Sequence, residues 1–361
     1  MAISVSELVR ALSLRDLTDP SQGPHALQLL LDAIHAALPV PVRVHRGSPI
    51  VSVTDNYDRL SYPPDGAARD ARYTRYVCES AVLRTQTSAM IPPLLATVEH
   101  DTVLSCPGLV YRRDVIDRHH VGEPHQVDLW RIAIAPLGEH DLDDMIARVV
   151  QAALPGRSWT TQPAQHPYTR CGRQIDVEGV EIGECGLAAI TPPGTHGLAM
   201  GLGLDRLLML RKGIDDIRLL RATDPRIAEQ MLDLAPYRAI STMPAVQRDL
   251  SIAVDEPLED EALGDRVRTA LGERADLLES CTVMSTTPAD QLPPAARARL
   301  GIAQDQHNLL IRLVLRAIDR TLTHQECNAL RDDVYAALHQ GHVYTWADPR
   351  NRTRTGVVSR P

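Results

Sequence analysis

The chain has 361 residues, a formal net charge of −8 at pH 7 and no phenylalanine. With 44% apolar and 23% charged residues it has a globular composition, and its length suggests roughly two or three domains. We find no apolar run near the roughly 18 to 20 residues of a membrane span and no signal-peptide core, which predicts a cytoplasmic protein without a membrane partner. The acidic charge argues against nucleic-acid binding by the whole surface, so such a partner would need a local basic patch.

The absence of phenylalanine is specific to that residue. A chain of this length and ordinary composition contains on the order of a dozen. A GC-rich coding sequence explains why Lys212 is the only lysine, but nine tyrosines remain although their codons also lean towards AT. Base composition therefore does not explain the loss.

The first two thirds of the chain predict helices and then a sheet. Residues 5–37 carry apolar residues at helical spacing, interrupted by a turn over Asp19–Pro24, and residues 40–55 alternate as strands do. A loop rich in proline, glycine and aspartate follows over 61–70, and a helix is predicted at Leu204–Arg211. Short β-branched segments predict strands of a largely antiparallel sheet at Val103–Val110, Val127–Ile134 and Ile175–Ile190.

A second unit is predicted after a boundary near residues 235–242. Its elements follow in the order strand, helix, strand, strand, helix, at Asp249–Val254, Glu259–Leu271, Cys281–Met284, Leu309–Leu315 and Thr323–Leu338. That order is the split βαβ of a ferredoxin-like fold, and its roughly 100 residues suit a small appended domain. The predicted fold class is therefore α+β.

Two polar segments are candidates for chemistry. Val110–Trp130 places paired arginines, acids and histidines around a strand and loop, which fits a solvated hairpin or the recognition of an anion by the arginines. Its histidines and the six cysteines lack zinc-ligand spacing. Gly201–Leu210 lacks the third glycine of a dinucleotide fingerprint, so we expect Arg206 to be buried in a helix and paired with Asp205 or an anion.

Together with LRTQTSA at Leu83–Ala89 and the segment Lys212–Arg226, these residues resemble the phenylalanyl-tRNA synthetase family of class II aminoacyl-tRNA synthetases. The resemblance is to the single-chain organellar form and extends from about Leu17 to Leu338. It implies a class II antiparallel sheet core with flanking helices, fused to a ferredoxin-like anticodon-binding domain.

The resemblance divides the chain into three parts. Residues 1–235 are expected to form the catalytic core and residues 239–340 the anticodon-binding domain. Residues 341–361 form a basic tail, which is either solvated or contacts the phosphates of tRNA.

The resemblance also assigns residues to the nucleotide. Val110–Asp128 is similar to the family's motif 2, which implies that Arg112 clamps the α-phosphate and the substrate carboxylate and that Asp114 and His120 contact ATP. ATP is thus an implied cofactor.

Gly201–Arg206 is similar to motif 3, whose arginine, here Arg206, reaches the γ-phosphate. This makes Arg112 and Arg206 the expected catalytic residues. Glu181, on the strand before motif 3, is the candidate ligand for Mg²⁺ between phosphates, and it also fits an exposed strand acid.

The implied amino-acid pocket departs from the family pattern. The family reads the α-amino group with His-x-Ser and Gln-x-Glu, and its phenyl ring lies against an FPF segment. The corresponding residues here are Gln86, Ser88, Gln126, Asp128, His166, Tyr168 and Ala199. Asp128 is one methylene shorter than glutamate, and His166 adds a titratable group, whereas Ala199, which sets the room at the para end of the ring, is unchanged. These changes either accompany the general removal of phenylalanine or indicate a changed substrate, such as a polar aromatic or a phenylalanine analogue.

The same removal extends to other positions where the family usually has phenylalanine. They are Tyr57, Pro124, Met200, Leu220, Ile227, Met231 and Ile252. Our hypothesis is that the protein must be made when phenylalanyl-tRNA is scarce or mischarged, as in a producer of a phenylalanine antimetabolite or of an inhibitor of the housekeeping enzyme.

The resulting function is ATP-dependent activation of phenylalanine or a close analogue through an aminoacyl adenylate, with transfer to tRNA, by a monomer or homodimer. One alternative is an adenylating ligase that loads a carrier protein or a small molecule. Another is a non-catalytic paralogue that senses an amino acid.

Overall fold

The computed structural model describes residues 2–98, 101–240 and 244–344. They form two compact units, one made of the residues up to Arg112 with Glu123–Arg238, the other of Arg113–Gly122 with the residues from Ala239 onward. Within these ranges no helix is long and apolar enough to cross a membrane. Most of the predicted basic tail, from residue 345 on, lies outside the described residues.

The first unit contains most of the secondary structure. Its helices are α1 (Val5–Leu12), α2 (Ala26–Ala37), α3 (Val53–Asn56), α4 (Ile91–Leu95), α5 (Glu139–Ala153), α6 (Leu204–Lys212) and α7 (Pro225–Ala228). Its strands are β1 (Val42–Val44), β2 (Ile50–Ser52), β3 (Tyr76–Cys78), β4 (Ala81–Leu83), β5 (Thr102–Leu109), β6 (His125–Ala133), β7 (Trp159–Pro163), β8 (Thr169–Val177), β9 (Val180–Ala188) and β10 (His196–Gly203). The predicted break at Asp19–Pro24 separates α1 from α2.

Seven of these strands form the main sheet, in the order β1-β5-β6-β10-β9-β8-β7. Every pair is antiparallel except β1 with β5, so the expected antiparallel core with flanking helices is confirmed, with one parallel edge. A small second sheet has the order β2-β4-β3.

The two faces of the main sheet are distinguished by β6, because successive side chains of a strand point to opposite faces. His125 bonds to Asp205 of α6 on one face, whereas Asp128 bonds to Thr87 and Ser88 on the other. Helices α2, α5 and α6 contact one another, and the short 3-10 turn Thr87–Met90 contacts β5 and β6. Asp128, Thr87 and Ser88 lie on the face with this turn.

The segment predicted as one strand over Ile175–Ile190 is a hairpin, so that prediction is wrong in detail. Glu178 and Gly179 form its turn, with φ angles of +53° and +80°. Consecutive positive φ angles match the twist of paired strands, and glycine takes such an angle without steric cost. The turn lets β8 and β9 pair within the sheet.

The second unit contains β11 (Val246–Val254), α8 (Asp260–Leu271), β12 (Leu278–Pro288), α9 (Pro294–Leu300), β13 (His307–Leu315) and α10 (His324–Leu338). Its antiparallel sheet has the order β11-β13-β12. The predicted element order is present, with α9 added between β12 and β13. A ferredoxin-like sheet has four strands and three are described here, so the ferredoxin-like assignment stays a prediction.

The segment Arg113–Gly122 is part of the second unit, which the sequence did not predict. Ile116 is buried in that unit's apolar core, and its carbonyl accepts a hydrogen bond from the backbone N–H of Cys281 at 2.9 Å. Arg113 pairs with Asp265 at 2.9 Å, and Arg118 pairs with Glu279 at 3.0 Å. One apolar anchor flanked by ion pairs therefore fixes the segment there.

Most of the positions where phenylalanine was expected lie in cores. The buried ones are Tyr57, Met200, Leu220, Ile227, Met231 and Ile252. Five of these six are aliphatic or methionine, which fill volume without a ring. Tyr57 keeps an aromatic ring, and its hydroxyl donates to the carbonyl of Ala68 at 2.8 Å, as a buried phenol requires.

Candidate functional site

The candidate site begins with one row of residues that four adjacent strands place directly opposite one another. The row consists of Cys106, Asp128, Gly201 and Glu184. An ideal Cβ on Gly201 would lie 3.8 Å from both carboxylate oxygens of Asp128. Because glycine has no side chain, the space beside that carboxylate is left open.

Asp128 is the buried charge of this row, with a relative exposure of 3%. Its carboxylate accepts hydrogen bonds from the hydroxyls of Thr87 and Ser88, each at 2.8 Å, and from the indole Nε1 of Trp130 at 3.3 Å. Burial raises the pKa of Asp128 above its ordinary value, while these hydrogen bonds and the charge of Arg112 act in the opposite direction. Because burial disfavours its charge, the Asp128 carboxylate would be stabilised by a cation such as an ammonium group.

Gln86 lies beside this cluster and is engaged at both ends of its amide. Its Oε1 accepts from the hydroxyl of Tyr62 at 2.7 Å, and its Nε2 donates to the carbonyl of Asn56 at 3.0 Å. Burial raises the pKa of Tyr62 to about 12, so the phenol stays a donor. Gln86 thus fixes one wall of the site.

Gln126 precedes Asp128 by two residues on β6 and is partly buried. The residues directly opposite it on the neighbouring strands are Gly108 and Gly203. Beside Gly108 the guanidinium of Arg84 occupies the space that a side chain would take, whereas only the carbonyl of Ile182, at 3.8 Å, comes near an ideal Cβ on Gly203. The amide of Gln126 therefore has open space on the Gly203 side alone. Its role in reading the α-amino group stays a prediction.

His166 and Tyr168 line the site from the loop before β8. The Nε2 of His166 lies 2.5 Å from the Oε2 of Glu184. The ring of Tyr168 stacks on Trp130 with centroids 5.7 Å apart, and its hydroxyl lies 3.4 Å from that of Ser88. Burial raises the pKa of Tyr168 well above its ordinary value.

Arg112, Arg206 and Glu181 belong to the same unit and are partly exposed. The Nε of Arg112 donates to the carbonyl of Thr85 at 2.7 Å, which orients its guanidinium. The Nη1 of Arg206 donates to the carbonyl of Glu181 at 3.2 Å and lies 3.9 Å from the Glu181 carboxylate.

The expectation that Arg206 is buried is wrong, and of its two expected partners, Asp205 or an anion, Asp205 is engaged elsewhere. Asp205 bonds to His125 instead, with Oδ1 2.8 Å from the ring Nδ1 and Oδ2 accepting from the backbone N–H at 2.8 Å. Consecutive helical residues point in different directions, so Asp205 faces the sheet while the Arg206 side chain keeps 32% of its surface exposed. Arg206 is therefore accessible to an anion.

His125 and Asp205 join β6 to α6 in a buried polar network that the sequence did not predict. The Nε2 of His125 also accepts from the backbone N–H of Leu17 at 3.1 Å. Burial raises the pKa of Asp205, but the contact with His125 and the charge of Arg221 outweigh it, so the net shift is downward. The network positions both elements that carry the candidate site residues.

Glu181 and Arg206 are of the residue types that bind Mg²⁺ and phosphate groups. Within the described residues, no three His, Cys, Asp or Glu side chains are grouped to hold a metal ion. Magnesium usually binds through one or two carboxylates together with substrate phosphates, so the partly exposed Glu181 suits a single protein ligand. The guanidinium of Arg206 next to it suits a phosphate.

Asp114 and His120 lie on the segment that belongs to the second unit. The Nδ1 of His120 is 2.8 Å from each carboxylate oxygen of Asp117. Burial opposes the charge of Asp117, but its hydrogen bonds with His120 and with backbone N–H groups lower its pKa to about 2. The predicted contacts of Asp114 and His120 with ATP stay predictions.

The residues of the site that the sequence did not predict include Thr87, Trp130 and Glu184. Alternation along β6 could have identified Trp130, because it follows Asp128 by two residues. Glu184 comes into the row only through the register of β9 with β10, which no local pattern encodes.

Comparison with known proteins places residues 19–231 in a family described as "tRNA synthetases class II core domain (F)". The phenylalanine--tRNA ligase alpha subunit of Prochlorococcus marinus (strain NATL2A) is 31% identical over 200 residues, which is 52% of this chain and 59% of the relative. That of Nostoc punctiforme is 29% identical over 224 residues, or 58% of this chain and 68% of the relative. Among solved structures, a pyrrolysyl-tRNA synthetase from Desulfitobacterium hafniense matches with a TM-score of 0.46 and 17% identity, covering 64% of this chain and 82% of that one.

The chain thus spans about 59% of the length of the Prochlorococcus marinus relative. The match covers the first unit, which holds the row around Asp128, and leaves most of the second unit outside.

Proposed function

The chain belongs to the class II aminoacyl-tRNA synthetases, in the phenylalanyl family, and on that premise we propose that it activates an α-amino acid with ATP and transfers it to tRNA. The relatives' names make phenylalanine, or a close analogue, the first candidate for the amino acid. The observation that carries the proposal is the buried Asp128 carboxylate beside the open position of Gly201.

Asp128 would hold the α-ammonium group of the amino acid. Its two hydroxyl donors, Thr87 and Ser88, already fix the orientation of the carboxylate, so little reorganisation accompanies binding. An ammonium group would also compensate the charge that burial disfavours. Specific recognition of an α-amino acid follows from this pairing.

Adenylate formation is an in-line displacement at the α-phosphate, which needs alignment and charge stabilisation and no protein nucleophile. Arg112, held by the carbonyl of Thr85, would align the substrate carboxylate with the α-phosphate. Arg206 would bind the γ-phosphate, and Glu181 would hold Mg²⁺. When bound, Mg²⁺ neutralises phosphate charge.

Transfer to tRNA is the finer part of the proposal. Its support is the second unit, whose predicted ferredoxin-like sheet is the kind of domain that the resemblance links to anticodon binding. A cytoplasmic location and a monomeric or homodimeric state are part of the same expectation.

The test is ATP–pyrophosphate exchange by the full chain with a panel of amino acids, followed by charging of tRNA. We expect exchange that requires an amino acid and Mg²⁺, and then aminoacyl-tRNA. Exchange without charging would favour the ligase that loads a carrier protein or small molecule. Binding of an amino acid without exchange would favour the sensor.

We further propose that the lack of phenylalanine allows this chain to be made when phenylalanyl-tRNA is scarce or mischarged. The support is that replacements occupy buried positions such as Leu220, Ile227 and Ile252, where losing a ring costs roughly 1 kcal/mol each after repacking. Host growth with a phenylalanine analogue is the measurement. Growth no better than with an empty vector would remove this proposal.

A further inference from the structure

We propose that Trp130 closes the side-chain end of the amino-acid site, so that the preferred substrate is an α-amino acid with a side chain much shorter than a phenyl ring. The inference rests on the proposed function, because it takes Asp128 as the partner of the α-ammonium group. It narrows the α-amino acid of the proposed function to substrates of the size of alanine, serine, threonine or valine, in place of the phenylalanine that the relatives' names suggest.

The register of the sheet places Trp130 next to the space that a substrate side chain would use. Trp130 follows Asp128 by two residues on β6, so both point to the same face. Its direct neighbours across the sheet are Leu104 on β5 and Ala199 on β10, and Gly186 on β9 lies beyond Ala199. Trp130 thus stands directly beside the small side chain of Ala199.

The indole of Trp130 packs in the same apolar cluster as Ala199 and Tyr168. Neighbouring strands lie about 4.8 Å apart, so β6 and β8, with β10 and β9 between them, are about 14 Å apart. The rings of Trp130 and Tyr168, at the two sides of this span, are only 5.7 Å apart with an interplanar angle of 25°. The two rings therefore meet on the side of Ala199. The space beside Gly186 is taken by the side chain of Thr169, which lies 2.8 Å from the position of an ideal Cβ there.

The side chain of Trp130 is held in one position by its surroundings. It is fully buried and belongs to an apolar cluster with Leu104, Ile132 and Ala199. Its Nε1 donates to the Oδ1 of Asp128, the same oxygen that accepts from Ser88. Packing on one side and this hydrogen bond on the other hold the indole in place.

The position of the Trp130 indole limits the length of the substrate side chain that the site can hold. The indole contacts the very carboxylate that would bind the α-ammonium group, so it begins next to the α-carbon of a bound amino acid. A phenyl ring directed towards Ala199 would collide with the stacked rings of Trp130 and Tyr168. A side chain of one to three heavy atoms ends before reaching them.

The first test needs no variant. ATP–pyrophosphate exchange by the full chain is measured with alanine, serine, threonine, valine, phenylalanine and tyrosine, and kcat/KM is compared. We expect the best small amino acid to exceed phenylalanine by about tenfold or more. A preference for phenylalanine or tyrosine overturns this inference and leaves the proposed function standing, whereas no exchange with any amino acid overturns both.

The second test replaces Trp130 by a smaller residue to make room for a larger substrate side chain. Trp130→Leu, checked for folding by its thermal transition, is expected to shift the kcat/KM ratio towards phenylalanine by about tenfold or more. Trp159→Leu, on the edge strand β7, is the matched control and should leave the ratio unchanged. A folded Trp130→Leu with an unchanged ratio contradicts the inference. If this variant does not fold, the wild-type ranking decides alone.

Discussion

The two halves of the candidate site are built differently. At the proposed nucleotide end, Arg206 and Glu181 keep 32% and 43% of their side-chain surfaces exposed and contact each other at 3.9 Å. At the amino-acid end, Asp128 and Trp130 are buried and joined by hydrogen bonds to their neighbours. Exposed arginines suit a ligand that brings its own charge, whereas a buried carboxylate must be organised before the ligand arrives. Substitutions at the proposed nucleotide end should therefore change activity alone, whereas those at the amino-acid end should change activity and can also change the free energy of unfolding.

The largest expected effect is at the nucleotide end. Arg206→Ala should lower the rate of pyrophosphate exchange by about 10²- to 10³-fold, because a donor aimed at developing phosphate charge is lost. The urea midpoint should stay within error, since the side chain is partly exposed. Arg148→Ala on α5, which removes a surface pair with Asp144, is the matched control and should change neither quantity. A large loss of stability in Arg206→Ala would break the comparison.

Asp128→Asn should raise the KM for the amino acid by about 10- to 100-fold, the usual worth of a hydrogen bond to a charged group. The free energy of unfolding should hold or rise, because a neutral amide avoids the burial of charge and can still accept from Thr87 or Ser88. Asp101→Asn, at the partly exposed pair with Arg131, serves as the control in steady-state exchange and urea unfolding. An unchanged KM in Asp128→Asn would exclude the carboxylate from ammonium binding.

The pH dependence should separate binding from folding. Because burial raises the pKa of Asp128, its carboxylate takes up a proton at a higher pH than an ordinary aspartate, and the KM for the amino acid should rise as pH falls towards that pKa. For folding, a raised pKa in the native state means that Asp128 favours the native state at low pH and that this contribution is lost as pH rises.

His25 should impose the opposite trend on stability. Burial lowers its pKa from 6.5 to about 4, and the neutral ring accepts at Nδ1 from the backbone N–H of Leu27 while Nε2 donates to the carbonyl of Leu220. The unfolded chain therefore binds the proton first, and stability should fall by up to about 3 kcal/mol as pH drops from 6.5 to 4. Urea midpoints across this window, with His25→Asn as the variant that keeps a capping acceptor, measure the contribution. Equal slopes in both proteins would contradict it.

The smallest effect is expected from Ser88→Ala. It removes one of three donors to Asp128, so we expect a KM increase of a few-fold and a loss of about 1 kcal/mol in the free energy of unfolding. Ser52→Ala, which removes the hydroxyl that caps α3, is the matched control for a serine outside the site and should leave KM unchanged. A change in stability without any change in KM would assign Ser88 to folding only.

The sequence predicted the elements well where the pattern is local. The turn between α1 and α2, the helix after Gly203 and the strands of the second unit follow from glycine, proline and apolar spacing. The hairpin at Glu178 and Gly179 was missed because Glu-Gly is not one of the dipeptides that mark a hairpin turn. The placement of Ile116 in the second unit was also missed, since nothing in a polar loop indicates which core a single isoleucine joins.

In the candidate site, too, features encoded by local sequence were predicted and contacts between distant residues were not. Motif resemblance identified residues along single segments, such as Asp128 on β6 and Ser88 in the turn Thr87–Met90, but not their neighbours across strands. The partnership of Asp205 with His125 links residues far apart in sequence, and the stack of Trp130 on Tyr168 crosses four strands of the sheet. Both follow from register, which depends on the whole sheet.

The most direct test of amino-acid activation is ATP–pyrophosphate exchange by the full chain, with all common amino acids tested singly and with Asp128→Asn in parallel. The expected result is exchange that depends on an α-amino acid and on Mg²⁺ and that weakens sharply in Asp128→Asn. Exchange that persists unchanged in Asp128→Asn would contradict the role of Asp128 in binding the amino acid. No exchange with any amino acid in the wild-type chain would contradict amino-acid activation.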